Sequence, residues 1–177
     1  QLNVEPPGLE VADLLPTLRA FVLLRDWLRR EIGVDALRSI WFFETPFPDG
    51  YCARVLDPRY APDAATLIDD YLRANPTRDR ELDCLPLFAH LDEKRVRRAL
   101  PYEKINPRPT WHYRLPNSEV DAADWSIGLE WRRWLKVERL SAQPETLRDA
   151  AEAWLANRAR VFPRDWLSES AALAARL

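Results

Sequence analysis

Residues 108–117 read RPTWHYRLPN, and how this stretch is laid down decides the fold. In an extended strand, alternate side chains fall on opposite faces. One face then carries Arg108, Thr110, His112 and Arg114; the other carries Pro109, Trp111, Tyr113 and Leu115. Two arrangements suit that split. The polar face is solvated in an antiparallel sheet, or it holds an anionic ligand while the aromatics are buried behind it.

Outward from this strand the chain is mostly helical in pattern. The opening QLNVE alternates as a strand, with Gln1, Asn3 and Glu5 on one side and Leu2 and Val4 on the other, until PPG breaks it. Apolar residues then recur at helical spacing from about Asp13 to Ile32, with Asp13 as cap and Pro16 in the first turn. A helix over about Asp35 to Phe43 and a turn at TPFPDG follow. APDAATLIDDYLRANP reads as a helix capped by Asp63 and stopped by Pro76, and LDCLPLFAHLDEKRVRRAL as two short helices joined near Asp92. Beyond the strand, a helix starting at Asp121 or Asp124 carries apolar residues on more than one face, which predicts burial between layers. Helices from about Glu145 to Arg160 and from Asp165 onward close the chain, the last one Ala-rich and poorly anchored. If the two strands share a sheet, their polar faces make one floor. Isolated strands need partners, and this sequence supplies few.

The composition narrows the classes of function. With 47% hydrophobic and 31% charged residues in 177, the chain suits one globular domain. A formal net charge of −2 argues against nucleic-acid binding, which normally shows a basic excess. The run Lys94, Arg95, Arg97, Arg98 has acidic neighbours and reads as a solvated helix face. Cys52 and Cys84 form neither a CxxC pair nor a metal spacing, which predicts buried free thiols in a reducing, cytoplasmic setting. No apolar run approaches the ~20 residues of a membrane span. The chain contains no methionine and opens on Gln1, as a piece of something longer would.

No phosphate-binding glycine loop, GxSxG or HExxH motif is present. His90, just before a helix start at Asp92, serves the turn. The polar faces of the strands carry the candidate chemistry. Arg108 and Arg114 each offer a planar fork that fits a carboxylate or a phosphate. His112 lies between them, Asn117 can orient a ligand through its amide, and Asn3 and Glu5 extend the floor from the first strand. From the residues alone, a ligand site and a solvated sheet face stand about equal.

Four stretches carry a resemblance: QLNVEPPGLEVADLLPTLRAFVLLRDWL, VLDPRYAPDAATLIDDYLRANPTR, LDCLPLFAHLDEKRV, and INPRPTWHYRLPN followed by WSIGLEWRRWLKVERL. Together they resemble the bacterial amidoligase family, carboxylate–amine ligases related to glutamine synthetase and glutamate–cysteine ligase. The similarity runs from about Gln1 to Leu140, and LIDDYLxxNPTR, LPLFAHLDE and RPTxHYRLPN are its most specific parts. It implies an α+β fold, predominantly helical here, with a few antiparallel strands packed by helices and a site on the open sheet face. It also implies that residues 1–177 are one domain, the C-terminal portion of a longer amidoligase domain whose N-terminal sheet strands, with their paired metal-binding glutamates, are missing.

The implied activity is ATP-dependent formation of an amide or peptide bond through an acyl phosphate, with ATP and magnesium (Mg2+) as cofactors and a small-molecule or peptide carboxylate and amine as substrates. Arg114, Arg108 and His112 take the catalytic positions; Asn3, Glu5 and Asn117 take the substrate and ATP contacts; no metal ligand is assigned. Asn3 matches the polar residue of the family's His-x-Asn strand, whereas Gln1 stands where that strand carries its histidine. The competing reading is a non-catalytic helical interaction module, with tryptophans as interface anchors and an arginine-lined site for an acidic peptide.

Overall fold

A computed structural model describes residues 1–33, 45–116 and 121–177. Its fold is α+β, with eight helices and one three-stranded antiparallel sheet among those residues. The strands are β1 (Leu2–Val4), β2 (Leu82–Asp83) and β3 (Trp111–Tyr113), in the order β1-β3-β2. Leu2 and Leu82 both lie opposite Tyr113, while Asn3 and Asp83 both lie opposite His112. Directly opposed residues share a face. The sheet therefore has an apolar side of Leu2, Val4, Leu82, Trp111 and Tyr113 and a polar side centred on His112. The two strands expected from alternation do share a sheet. The third, β2, is two residues long, too short to show any period.

Packing explains the apolar side. The central helix α1 (Val11–Ile32) is buried on every side from Ala20 through Arg25, because helices and strands surround it. Its Phe21 meets Tyr113 edge-on at 6.0 Å, and Tyr113 lies 5.0 Å from Trp134 of α6 (Ile127–Ser141). Aromatic contacts continue from Phe21 through Phe47 to Tyr51 of α2 (Asp49–Leu56), Tyr71 of α3 (Ala64–Ala74) and Phe88 of α4 (Leu85–Leu91). Such edge-to-face pairs add to the burial of large apolar area. The Tyr71 hydroxyl also accepts the Cys84 N–H at 3.1 Å, which fixes the turn between β2 and α4.

Helix ends follow local chemistry in some places and tertiary contacts in others. Asp63 caps α3 by accepting the Thr66 N–H at 2.7 Å, and Asp92 caps α5 (Glu93–Ala99) through the Arg95 N–H at 3.0 Å. Helix α1 instead starts two residues before Asp13 with no side-chain cap, so Pro16 lies inside it. The carbonyl four residues back, which the proline ring leaves without an N–H donor, belongs to exposed Ala12. Gly33 ends the helix at φ 64°, a left-handed conformation that suits glycine. The turn expected at TPFPDG runs straight into α2. The expected helix at Asp35 to Phe43 falls outside the described residues.

Three further expectations change. Helix α6 begins at the Ser126 cap and buries one face, through Glu130, Trp134, Val137 and Leu140, while Ile127 and Trp131 stay exposed. It borders solvent instead of lying between layers. The expected strand of residues 108–115 contracts to three, because the chain bends at Pro109 and Thr110 while the Arg108 N–H is tied to the Pro86 carbonyl of α4. The last helix, α8 (Leu167–Ala175), is firmly anchored. Before it, Trp166 donates Nε1–H to the Leu23 carbonyl at 3.0 Å. The Ser170 hydroxyl donates to that same carbonyl at 2.9 Å and accepts the Trp27 N–H at 3.2 Å. Helix α7 (Pro144–Arg158) completes the packing with Trp154 fully buried. Trp111, Trp134 and Trp154 are core, not interface anchors. Cys52 and Cys84 are buried free thiols, as expected. No helix among the described residues is long and apolar enough to cross a membrane.

Candidate functional site

The polar side of the sheet is not solvated at its centre. His112 is 3% exposed and Asp83 fully buried. His112 Nδ1 lies 3.1 Å from Asp83 Oδ2, and its Nε2 lies 2.9 Å from the side-chain amide oxygen of Gln1. Arg114, one residue past β3, donates from Nη2 to the same Asp83 Oδ2 at 3.1 Å, while its backbone N–H donates to the Glu81 carbonyl at 3.0 Å. The other Asp83 oxygen accepts the Leu85 N–H at 3.1 Å. Strand pairing brings Gln1, His112 and Arg114 together from chain ends more than a hundred residues apart. Asp83 joins them from the middle.

The remaining expected residues are placed differently. Asn3 lies beside His112 on the same face and is exposed. Glu5, past the end of β1, is exposed and lines a shallow cavity with Ala12, Asp13, Glu138 and Ser141, towards α1 and α6. Arg108 precedes β3, where its backbone N–H donates to the Pro86 carbonyl at 3.0 Å. The guanidinium Nε atoms of Arg108 and Arg114 are both buried without a hydrogen-bond partner, as is Thr110 Oγ1. Buried donors normally find acceptors. These three therefore mark one stretch that an anionic or carbonyl oxygen would satisfy. Asn117 is outside the described residues.

Sequence reasoning missed Asp83. Its only sign was a carboxylate two residues before Leu85–Pro86, in a strand too short to reveal which way it faces. It also missed a second buried charge cluster behind the sheet. Glu81, fully buried at the bend before β2, accepts from Arg29 Nη1 at 3.2 Å and lies 3.9 Å from Arg25 Nη1. Arg25 donates to the Phe47 carbonyl and to Cys52 Sγ, each at 3.1 Å. Burial pushes the Glu81 carboxyl above its ordinary range, an effect the two arginines partly offset. Burial likewise pushes the Cys52 thiol up to about 11 despite Arg25 beside it. Helical periodicity placed Arg25 among apolar neighbours but held no hint of its partner 56 residues on.

The donor set fits phosphate better than metal. Two arginines with unsatisfied donors suit an anion. Among the described residues, no group of three or more His, Cys, Asp and Glu side chains is arranged to hold a metal ion. The Asp83 oxygens are already committed. These residues alone do not make a magnesium site.

No curated protein and no solved structure matches the chain. A family model described as "Putative amidoligase enzyme" matches residues 1–136, which include α1 to α5, all three strands, the Gln1–His112–Asp83–Arg114 cluster and part of α6. The chain belongs to that amidoligase family.

Proposed function

We propose that this chain forms part of an ATP-dependent amidoligase that joins a carboxylate to an amine through an acyl phosphate. Family membership supports the ligase class. The single observation that carries the finer reading is the cationic end of β3, where Arg114 is held by a buried carboxylate while its Nε and that of Arg108 have no partner. ATP, when bound, supplies the phosphoryl group that activates the substrate carboxylate; the amine then displaces phosphate as the C–N bond forms. Each stage concentrates negative charge on oxygen. Preorganised donors in a water-poor site stabilise such charge more than water does.

In this reading Arg114 and Arg108 neutralise the phosphate or the substrate carboxylate. His112 orders the polar floor between them, and Asn3 and Asn117 orient the substrate through their amides. Glu5, on the cavity beside α1, meets the amine partner. Magnesium would supply charge neutralisation at the phosphates; no described residue is assigned to hold it, and no step is assigned to it. The domain is proposed to be the C-terminal portion of a larger carboxylate–amine ligase fold, working in the cytoplasm on small-molecule or peptide substrates and without nucleic acid.

The experiment is ADP release by the full-length protein, given ATP, magnesium and a panel of carboxylate and amine pairs. Arg114→Ala is expected to lower turnover by about a hundredfold or more, the usual effect of removing one charge-stabilising donor, with an unchanged circular dichroism spectrum. Unchanged turnover in that variant removes Arg114 from the mechanism.

A further inference from the structure

Asp83 holds together more of the polar cluster than any residue the sequence singles out. It lies opposite His112 in the β2–β3 pairing and is fully buried. Its Oδ1 accepts from the first backbone amide of α4, Leu85, and its Oδ2 accepts from Arg114 Nη2. A backbone amide and a guanidinium are donors only. Both carboxylate oxygens are therefore acting as acceptors, and the contact at 3.1 Å requires the hydrogen to be on His112 Nδ1. In the neutral ring the lone pair is then on Nε2, aimed at the Gln1 side-chain amide 2.9 Å away. An amide's oxygen and nitrogen exchange places by a half-turn, so the ring tautomer decides which end faces it. With Nδ1 protonated, that end is the NH2 group.

We propose that Asp83 is the positioning residue of this site, orienting the Arg114 fork and fixing the Nδ1–H tautomer of His112 with one carboxylate; the proposal rests on the amidoligase reading above. Asp83 is itself braced by α4, because Leu85 N–H sets the rotation of the carboxylate. The Arg114 guanidinium is thereby pinned at one terminal nitrogen, and its remaining donors keep a fixed direction toward a bound anion. The His112 acceptor is turned to the edge of β1, where the Gln1 amide meets it. Asp83 touches no substrate in this scheme. It acts through its two neighbours.

The test uses the full-length protein and two readouts. Long-range 1H–15N correlation of the imidazole rings reports the tautomer, with His90→Gln assigning the only other histidine. The wild type is expected to show His112 with a protonated Nδ1 and a bare Nε2. In Asp83→Asn, which keeps the side-chain shape, the population shifts towards Nε2–H. In the ADP-release assay kcat falls about tenfold to a hundredfold, while KM for ATP stays within about threefold because the guanidinium charge remains. A purely structural role moves melting temperature without moving the tautomer. A wild-type ring found as Nε2–H overturns the proposal, and that measurement needs no variant to fold. So does an Asp83→Asn protein whose tautomer and kcat both match the wild type. A wild type with protonated Nδ1 but no ADP release from any substrate pair overturns the ligase reading, and with it the catalytic meaning of Asp83. Failure of Asp83 alone instead leaves an active wild type.

Discussion

Arg25→Met tests the buried charge cluster that ties α1 to the segment before β2. The arginine side chain is 6% exposed and Glu81 fully enclosed, so the substitution exchanges a packed stem for one of similar reach and deletes only the guanidinium. Five interactions go with it: the hydrogen bond to the Phe47 carbonyl, the contact with Cys52 Sγ and the nearby charges at Glu81, Asp26 and Asp49. Glu81 keeps its ion pair with Arg29 at 3.2 Å. Breaking a buried pair from one side costs about 3–5 kcal/mol, because the charge left behind is under-compensated. For a chain of this size that corresponds to a fall in Tm of roughly 6–20 °C.

Thermal melts by circular dichroism and urea titrations with an unchanged m-value measure it. The double variant Arg25→Met, Glu81→Gln should recover more than half of the loss, since the orphaned charge is then gone too. The pH dependence gives an independent sign. The folded-state pKa of Glu81 is raised, so the native state keeps that proton to higher pH than the unfolded chain. The associated stability is complete below the ordinary carboxyl pKa and is lost as pH rises through the folded-state value. Losing Arg25 removes an offset to burial and extends that window upward. A single variant within about 1 kcal/mol of the wild type, or a double variant less stable than the single, refutes the reasoning.

Three other outcomes follow from particular contacts. Asp63→Ala removes the α3 cap and should cost about 1 kcal/mol in urea unfolding, with Asp63→Asn nearly neutral; equal losses for both would place the effect elsewhere. Ser170→Ala deletes the hydroxyl that sits between the Leu23 carbonyl and the Trp27 N–H. It should destabilise by about 1–2 kcal/mol and raise amide exchange in α8 before the rest of the chain, and protection that stays uniform would show that the anchor is not there. Cys52 and Cys84 are buried and their thiols are held above the ordinary range by burial, Cys52 at about 11. Mass spectrometry after alkylation at pH 8 should therefore find both unmodified in the native protein and both modified in denaturant, whereas rapid native labelling of either would contradict their placement.

Much of the local structure was legible in the residues. Asp63 and Asp92 cap the helices that their spacing predicts, because a cap depends on atoms three residues away. The polar alternation of residues 1–5 and 108–114 was equally plain, and Asn3 and His112 do lie together on one side of the sheet. The start of α1 and the anchoring of α8 were not. Helix α1 is buried on all sides only from Ala20 through Arg25 and starts without a side-chain cap, and the grip on α8 comes from Leu23 and Trp27, more than 140 residues earlier.

The sequence by itself determined the helical majority, the amphipathic stripes, the caps and the presence of an arginine–imidazole strand, since each rests on interactions within a few residues. Only the tertiary structure decided that Asp83 would meet His112 and Arg114, and that Glu81 would be enclosed by Arg25 and Arg29. Those partners are set by the register of a two-residue strand and by the packing of α1, and neither leaves a periodic trace. A buried carboxylate is specified by what surrounds it, and the surroundings exist only once the chain has closed.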